Sequence, residues 1–342
     1  MILLVLAAAT VAAQPARLHT YKDWIVGCDN VRVCQANALM PDAGENNYLD
    51  LTISRGAAPS GQATLSFRIP VDAKTGGRFS LKVDGGNVIT FTAAKDSTSL
   101  PLTGALLAAV RNGKRLTLFD ARGKDIGGAS LAGLAAALRY MDDQQERVGT
   151  LGALAATGSE TDAKVPAPPP YPVIVVPPTS PRPPRNISVA AAIRLIGEDN
   201  ATCDYANGKV KPRAYRLDAT HSLVLVDFPC GNGAYNFFTG VYVLDEAGKV
   251  RPASFDWAPG MGDADELTNG DWDPKLRRLT SFEKGRGLGD CGSTEEYVWD
   301  GARFRLIEQS VMDECRGSVD YIRTWVAKTE LAKSKLPVAT KH

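Results

Sequence analysis

Histidine is scarce in this chain of 342 residues, which holds three, and neither sign of charge dominates, with 39 Lys and Arg against 38 Asp and Glu. A net charge of +1 excludes the basic body that neutralising a phosphate backbone requires, so nucleic acid is not an expected partner. His19 lies near the start and His342 at the end, which leaves His221 alone for a Ser-His-Asp site, and no serine sits in a GxSxG elbow. CxxC pairs are absent, so a structural zinc site is short of ligands. Gly285-Arg286-Gly287-Leu288-Gly289 fits neither GxGxxG nor a P-loop, because no Gly-Lys-Ser/Thr follows. Beyond the first residues, no run approaches the ~20 apolar residues that span a bilayer. No internal repeat of about 20–50 residues stands out, which argues against a propeller.

What is present is an ordinary globular composition, 44% hydrophobic and 23% charged, behind an unusual start. Met1 to Ala16 has no charged side chain, and Ile2-Leu3-Leu4-Val5-Leu6 followed by alanines reads as the apolar region of a signal peptide. Val11-Ala12-Ala13 supplies the small residues for cleavage before Gln14. No Lys or Arg precedes the apolar run, so the amino terminus supplies the positive charge or the true start lies upstream. A buried helix or a membrane anchor is the alternative, but the stretch is short of the ~20 residues that span a bilayer, and no cysteine follows the cleavage point to carry a lipid. Six cysteines, Cys28, Cys34, Cys203, Cys230, Cys291 and Cys315, agree with export, because an even count in an exported chain favours disulfides. If two domains fold separately, Cys28 and Cys34 have only each other and three pairings remain for the rest. Nearest neighbours, Cys203–Cys230 and Cys291–Cys315, are preferred. The expected location is the periplasm or outside the cell, with no membrane span after cleavage.

Ten prolines fall within Pro166–Pro184. Proline fixes φ and removes a donor, so an extended, semi-rigid spacer is expected, with Gly149 to Gly158 part of the same flexible connection. The resulting division is a signal peptide over 1–13, a β-rich domain over 18–150, a linker over 151–185, a second β-rich domain over 186–330 and a tail over 331–342. Tyr48–Ile53, Thr64–Ile69 and Phe79–Val83 alternate polar and apolar residues, as half-buried strands do. Asp84-Gly85-Gly86-Asn87 reads as a hairpin turn into Val88–Phe91, and Leu116–Phe119 is a further strand. Thr103, Ser130 and Ser188 are candidate caps for three short amphipathic helices. Downstream, Leu223–Val226, Val241–Leu244, Leu279–Phe282, Glu296–Trp299 and Phe304–Ile307 read as strands, with Asp300-Gly301 as a hairpin turn. Tyr321–Lys328 stays open between strand and helix. The fold class is mainly β: two β-sandwich-like domains with a few short helices, joined by a Pro-rich linker.

Tyr21-Lys22-Asp23-Trp24 with Cys28-Asp29-Asn30, Cys34 and Ala36 resembles the opening of a family of bacterial envelope proteins, domain of unknown function eleven seventy-six. Gly287-Leu288-Gly289-Asp290-Cys291-Gly292, Trp299-Asp300-Gly301-Ala302-Arg303-Phe304 and Cys315-Arg316-Gly317 resemble its later blocks. The N-terminal half is also similar to invasion associated locus B proteins, through the same opening and Ser130-Leu131-Ala132-Gly133-Leu134-Ala135-Ala136-Ala137-Leu138, with Leu134 where an aromatic is usual. The resemblance implies an exported, disulfide-bonded, largely β protein, and it brings no reaction and no catalytic residues.

The best candidate site is an acidic window holding Asp256, Asp263, Asp265, Glu266, Asp271 and Asp273, with no Lys or Arg among them. Asp263, Asp265, Asp271 and Asp273, with Asn269 nearby, offer the oxygen ligands that Ca²⁺ takes, and calcium is the only cofactor suggested. The spacing is not an EF-hand, since Thr268 stands where the loop glycine belongs, and a solvated loop offset by Lys275, Arg277 and Arg278 is the simpler alternative. The expectation is therefore a non-enzymatic protein binding an envelope or host component. The alternatives are a cell-wall or glycan hydrolase using the acids of 256–273, or an inhibitor of a lytic enzyme.

Overall fold

The computed structural model describes residues 15–42, 44, 47–69, 77–93, 97–203, 209–256 and 266–332. The first half builds two antiparallel sheets. Six strands, from His19–Tyr21 through Trp24–Cys28, Cys34–Ala38, Leu51–Arg55 and Ala63–Arg68 to Ser97–Pro101, form one. Asp125–Ser130, Arg115–Phe119, Arg78–Val83 and Gly86–Thr92 form the other. Alternation decides what is buried: Leu51 and Ile53 on one sheet, and Phe79, Leu81 and Val83 on the other, point into one core. Two helices, Gly104–Asn112 and Leu134–Gln144, add Leu106, Val110, Leu134, Leu138 and Met141 to it. The second helix starts later than Ser130 suggests. Ser130 ends a strand and its carbonyl accepts the Trp24 indole N–H at 2.9 Å, so Gly133 at φ 98° takes the N-cap.

The second half also pairs two antiparallel sheets. Arg213–Arg216, His221–Asp227, Phe238–Asp245 and Val250–Pro252 form the first, with Glu266–Thr268 also on Phe238–Asp245. Asp271–Asp273, Arg278–Lys284, Gly292–Trp299, Phe304–Met312 and Ile322–Val326 form the second, so the undecided Tyr321 segment is a strand. Leu223, Leu225, Val241 and Val243 meet Leu279, Tyr297, Phe304 and Leu306 between the sheets. Val224, Val226, Tyr242 and Leu244 face the other way, under the helix Val189–Ile196. Burial on both faces explains the continuous apolar runs here. Ser188 caps that helix, accepting the Ala191 N–H at 3.2 Å. The disulfides are Cys28–Cys34, Cys203–Cys230 and Cys291–Cys315.

The connection between the halves is more structured than its composition suggests. Both oxygens of fully buried Asp142 accept backbone N–H groups of Leu154, Ala155 and Ala156 at 2.8–2.9 Å, so the Ala-rich stretch expected to be flexible lies against the first half. Within the proline run, Val173–Val176 pairs in parallel with Lys328–Leu331, and Ile174 packs on Val298 and Ile307.

The halves also touch directly. Ile25 and Leu39 of the first share a buried cluster with Cys291, Met312 and Ile322 of the second. Asn30 donates to the Val326 carbonyl at 2.9 Å and accepts its N–H at 2.7 Å, as a paired strand would. Arg323 reaches fully buried Asp29 at 2.7 Å, inside the first disulfide loop. Gly27 lies in this seam, and a Cβ there would overlap Leu18 Cδ2 and press on Ile322.

Candidate binding site at the junction of the halves

The acidic window does not gather into one cluster among the described residues. Asp263 and Asp265 lie outside them. Asp271 and Asp273 flank buried Trp272 on one strand and therefore share its outward side. Asp271 accepts Arg213 Nη1 at 2.7 Å. Asp273 accepts the N–H groups of Leu276 and Lys275 at 2.9 and 2.7 Å, and these bonds hold its carboxyl below the usual carboxylate range. Asp256 takes Arg305 Nε at 2.8 Å and lies 3.2 Å from Arg303. The missing cations thus come from other segments. Among the described residues, no three His, Cys, Asp or Glu side chains are arranged to hold a metal ion.

His221 is likewise committed to structure. Its Nδ1 lies 3.0 Å from Asp218, which also accepts the Trp299 indole N–H at 2.7 Å and the Thr220 N–H at 2.7 Å. Burial pushes Asp218 up, but the bonds from Thr220, Trp299 and His221 outweigh it and leave the carboxyl below its ordinary range. This pair fixes the turn ahead of His221–Asp227. Among the described residues, the hydroxyl bonded to His221 is that of Thr220, which also donates to Asp218 and so is not poised as a nucleophile.

A large hollow lies where the halves meet. A cleft of ≈ 500 Å³ is walled by Ala16 and Leu18 on one side and the Cys291–Cys315 disulfide on another. Ser293, Gln309 and Thr324 contribute buried polar groups to its lining, with Glu283 and Asp313 exposed in the same lining. The N-terminal segment is fixed by the Ala16 N–H on the Thr324 carbonyl at 3.1 Å. Gly292, at φ 135°, is required by close approach, since a Cβ there would overlap the Glu283 carbonyl oxygen. Beside the lining, Glu295 is 3% exposed. Its Oε1 accepts Gln309 Nε2 at 3.3 Å, and Gln309 Oε1 accepts the Thr324 hydroxyl at 2.9 Å. Burial raises the Glu295 carboxyl and the charge of Glu283 adds to the rise, against bonds from Ser293, Gln309 and Ser281. Partial desolvation of its carboxyl, then the charge of Glu314, raises Asp313 as well. The hollow has largely apolar walls, with two carboxyl residues, Glu283 and Asp313, in its lining against a single cation. Arg17 is the one basic residue in the lining.

Apart from Ala16 and Arg17, the residues that line this cleft lie within residues 18–328, the span matched by the family model described as Protein of unknown function (DUF1176). The chain belongs to this family. A DUF1176 protein of this kind is also similar to the uncharacterized protein YpfG of Escherichia coli strain K12. The two are 29% identical over 333 residues, covering 89% of this chain and 90% of that protein. A solved structure, invasion associated protein B from Bartonella henselae, aligns at 21% identity and a TM-score of 0.31, covering 38% of this chain and 99% of that one. In this DUF1176 chain the cleft residues escaped the sequence reading because they come from separate segments. One signal was available: Ser293 and Glu295 are in phase with Tyr297 and Trp299, a period-2 pattern that turns two polar side chains inward.

Proposed function

We propose that the protein is a non-enzymatic binding protein of the bacterial envelope, exported by its N-terminal signal, and that the junction cleft takes a ligand carrying cationic groups. The observation that carries this reading is the cleft itself: ≈ 500 Å³, with Glu283 and Asp313 exposed in its lining against the single cation Arg17, and with buried Ser293, Gln309 and Thr324 among its apolar walls. That volume lies within the range of ligand sites. Carboxylates at a cleft mouth favour amine or guanidinium partners, and partial desolvation strengthens each contact relative to water. Three disulfides support an oxidising location. The test is titration of the mature chain with spermidine and with a lysine-rich peptide at low salt. Saturable binding is expected, weakened about tenfold or more, roughly 1.4 kcal/mol, by Glu283→Gln with Asp313→Asn. Binding that ignores this double change, or none at all, overturns the reading.

A further inference from the structure

The three disulfides are not equally placed. Cys28, Cys34 and Cys230 are buried and Cys203 is half-buried, whereas Cys315 is exposed and lines the junction cleft beside its buried partner Cys291. The Gly285 backbone lies against Cys291 Sγ, so closely that a Cβ there would overlap the sulfur, and the Gly285 N–H is on the Cys291 carbonyl at 2.8 Å. An attacking thiolate therefore meets this bridge at Cys315. Thiol–disulfide exchange depends on which sulfur can be reached, and exposed bridges are the labile ones.

The bridge holds the loop 313–321, which joins the strands Phe304–Met312 and Ile322–Val326, to the residue ahead of Gly292–Trp299. From this loop, polar contacts cross to the first half. Glu314 accepts the Thr20 hydroxyl at 2.9 Å, the Arg316 carbonyl accepts the Met40 N–H at 2.7 Å, and the Arg316 guanidinium reaches Asp23 at 2.7 Å. Ser318 donates to Asp50 at 3.2 Å, while Asp320 accepts the Thr52 hydroxyl at 3.3 Å and is bonded to Arg68. Within the second half, the Gly317 N–H on Asp290 at 2.7 Å is a non-covalent tie that a freed loop can break. Each half keeps its own core and a disulfide of its own, Cys28–Cys34 in the first and Cys203–Cys230 in the second. Opening the third bridge therefore acts on the junction rather than on either half.

We infer that Cys291–Cys315 is a redox switch of the junction: a dithiol donor reduces it ahead of the other two bridges, and the freed loop 313–321 loosens the seam and the cleft beside it. One thiolate of the donor attacks Cys315 Sγ; the S–S bond breaks and its electron pair leaves on Cys291 Sγ, which takes up a proton. The donor's second thiolate then attacks the donor sulfur of the mixed disulfide, and Cys315 leaves as a thiolate that is protonated in turn. Two electrons and, through solvent, two protons pass to this chain, and the donor departs as a disulfide. Control of ligand binding rests on the cleft reading above; the order of reduction and the loosening of the seam do not.

The experiment is stepwise reduction of the folded mature chain with dithiothreitol, quenched by alkylation and read by peptide mass mapping. Cys291 and Cys315 should be alkylated about tenfold faster than the other four cysteines, or more. In the chain reduced and alkylated at this bridge alone, the amides of Met40 and Gly317 should exchange hydrogen about tenfold faster or more, with 51–55 and 223–226 unchanged. Cys291→Ser with Cys315→Ser should reproduce that pattern without the added alkyl groups, and spermidine should bind both forms about tenfold more weakly. Another bridge opening first, all three opening together, unchanged exchange at Met40 and Gly317, or an equal rise in 51–55 and 223–226 would each overturn the inference. Spermidine binding the oxidised and the reduced chain alike would overturn control of the cleft. An oxidised chain that binds no spermidine overturns the cleft reading instead, and alkylation and exchange still decide the switch.

Discussion

At the scale of single residues, Asp50 is the most consequential group in the seam. Its Oδ1 accepts the Ser318 hydroxyl at 3.2 Å, while its buried Oδ2 has no hydrogen bond and lies 3.6 Å from Arg68 Nε. Arg68 is shared with Asp320, to which it is bonded. Burial first, then the charge of Asp320, push Asp50 up to about 6. A folded-state value above the unfolded one means the folded protein holds a proton that the unfolded chain releases. Stability from this group is therefore full below about pH 4, falls as pH rises to about 6, and is flat above, a change of up to about 3 kcal/mol. Asp50→Asn should remove that slope from denaturant midpoints measured between pH 4 and 7. An unchanged slope would mean that another group titrates. Asp50 was legible only as a polar position within an alternating strand. Its partners Ser318 and Asp320 come from the far end of the chain, and no local pattern announces them.

At the scale of elements, alternation and caps carried most of the information. The strands at Thr64, Phe79, Leu279 and Phe304 lie where period-2 burial puts them, because each has one face on a core. Asp125–Ser130 escaped, since its glycines carry no pattern, although Ala129 is fully buried. Val173–Val176 was hidden by flanking prolines, and its partner lies near the far end of the chain. That pairing supplies a prediction. The Lys328 N–H bonds the Pro172 carbonyl and the Ala332 N–H bonds the Val176 carbonyl, both at 2.8 Å, while Arg277 holds the Pro177 carbonyl at 2.9 Å. Limited proteolysis of the intact chain should spare Val173–Val176, and truncation after Ala327 should open it to cleavage. Identical digestion patterns would show that the parallel pair contributes no protection.

At the scale of the molecule, the two halves are joined by side chains as well as by the connecting segment. Arg316 donates to the Met40 carbonyl at 2.8 Å, the Lys22 carbonyl at 2.9 Å and Asp23 at 2.7 Å. Arg316→Ala leaves these acceptors without their donor and should lower stability by roughly 2–3 kcal/mol, seen as a shifted denaturant midpoint. A change within about 0.5 kcal/mol, as for an ordinary surface site, would mean the halves do not depend on this contact. The seam matters because it shapes the cleft: Ala16 and Leu18 come from one half, and Gln309, Thr324 and the Cys291–Cys315 disulfide from the other. The most direct measurement is hydrogen exchange on the mature chain with and without a bound lysine-rich peptide. New protection should fall on 283–293 and 309–315, with 266–273 unchanged. Protection confined to 266–273, or spread evenly over the surface, would contradict a ligand site at the junction.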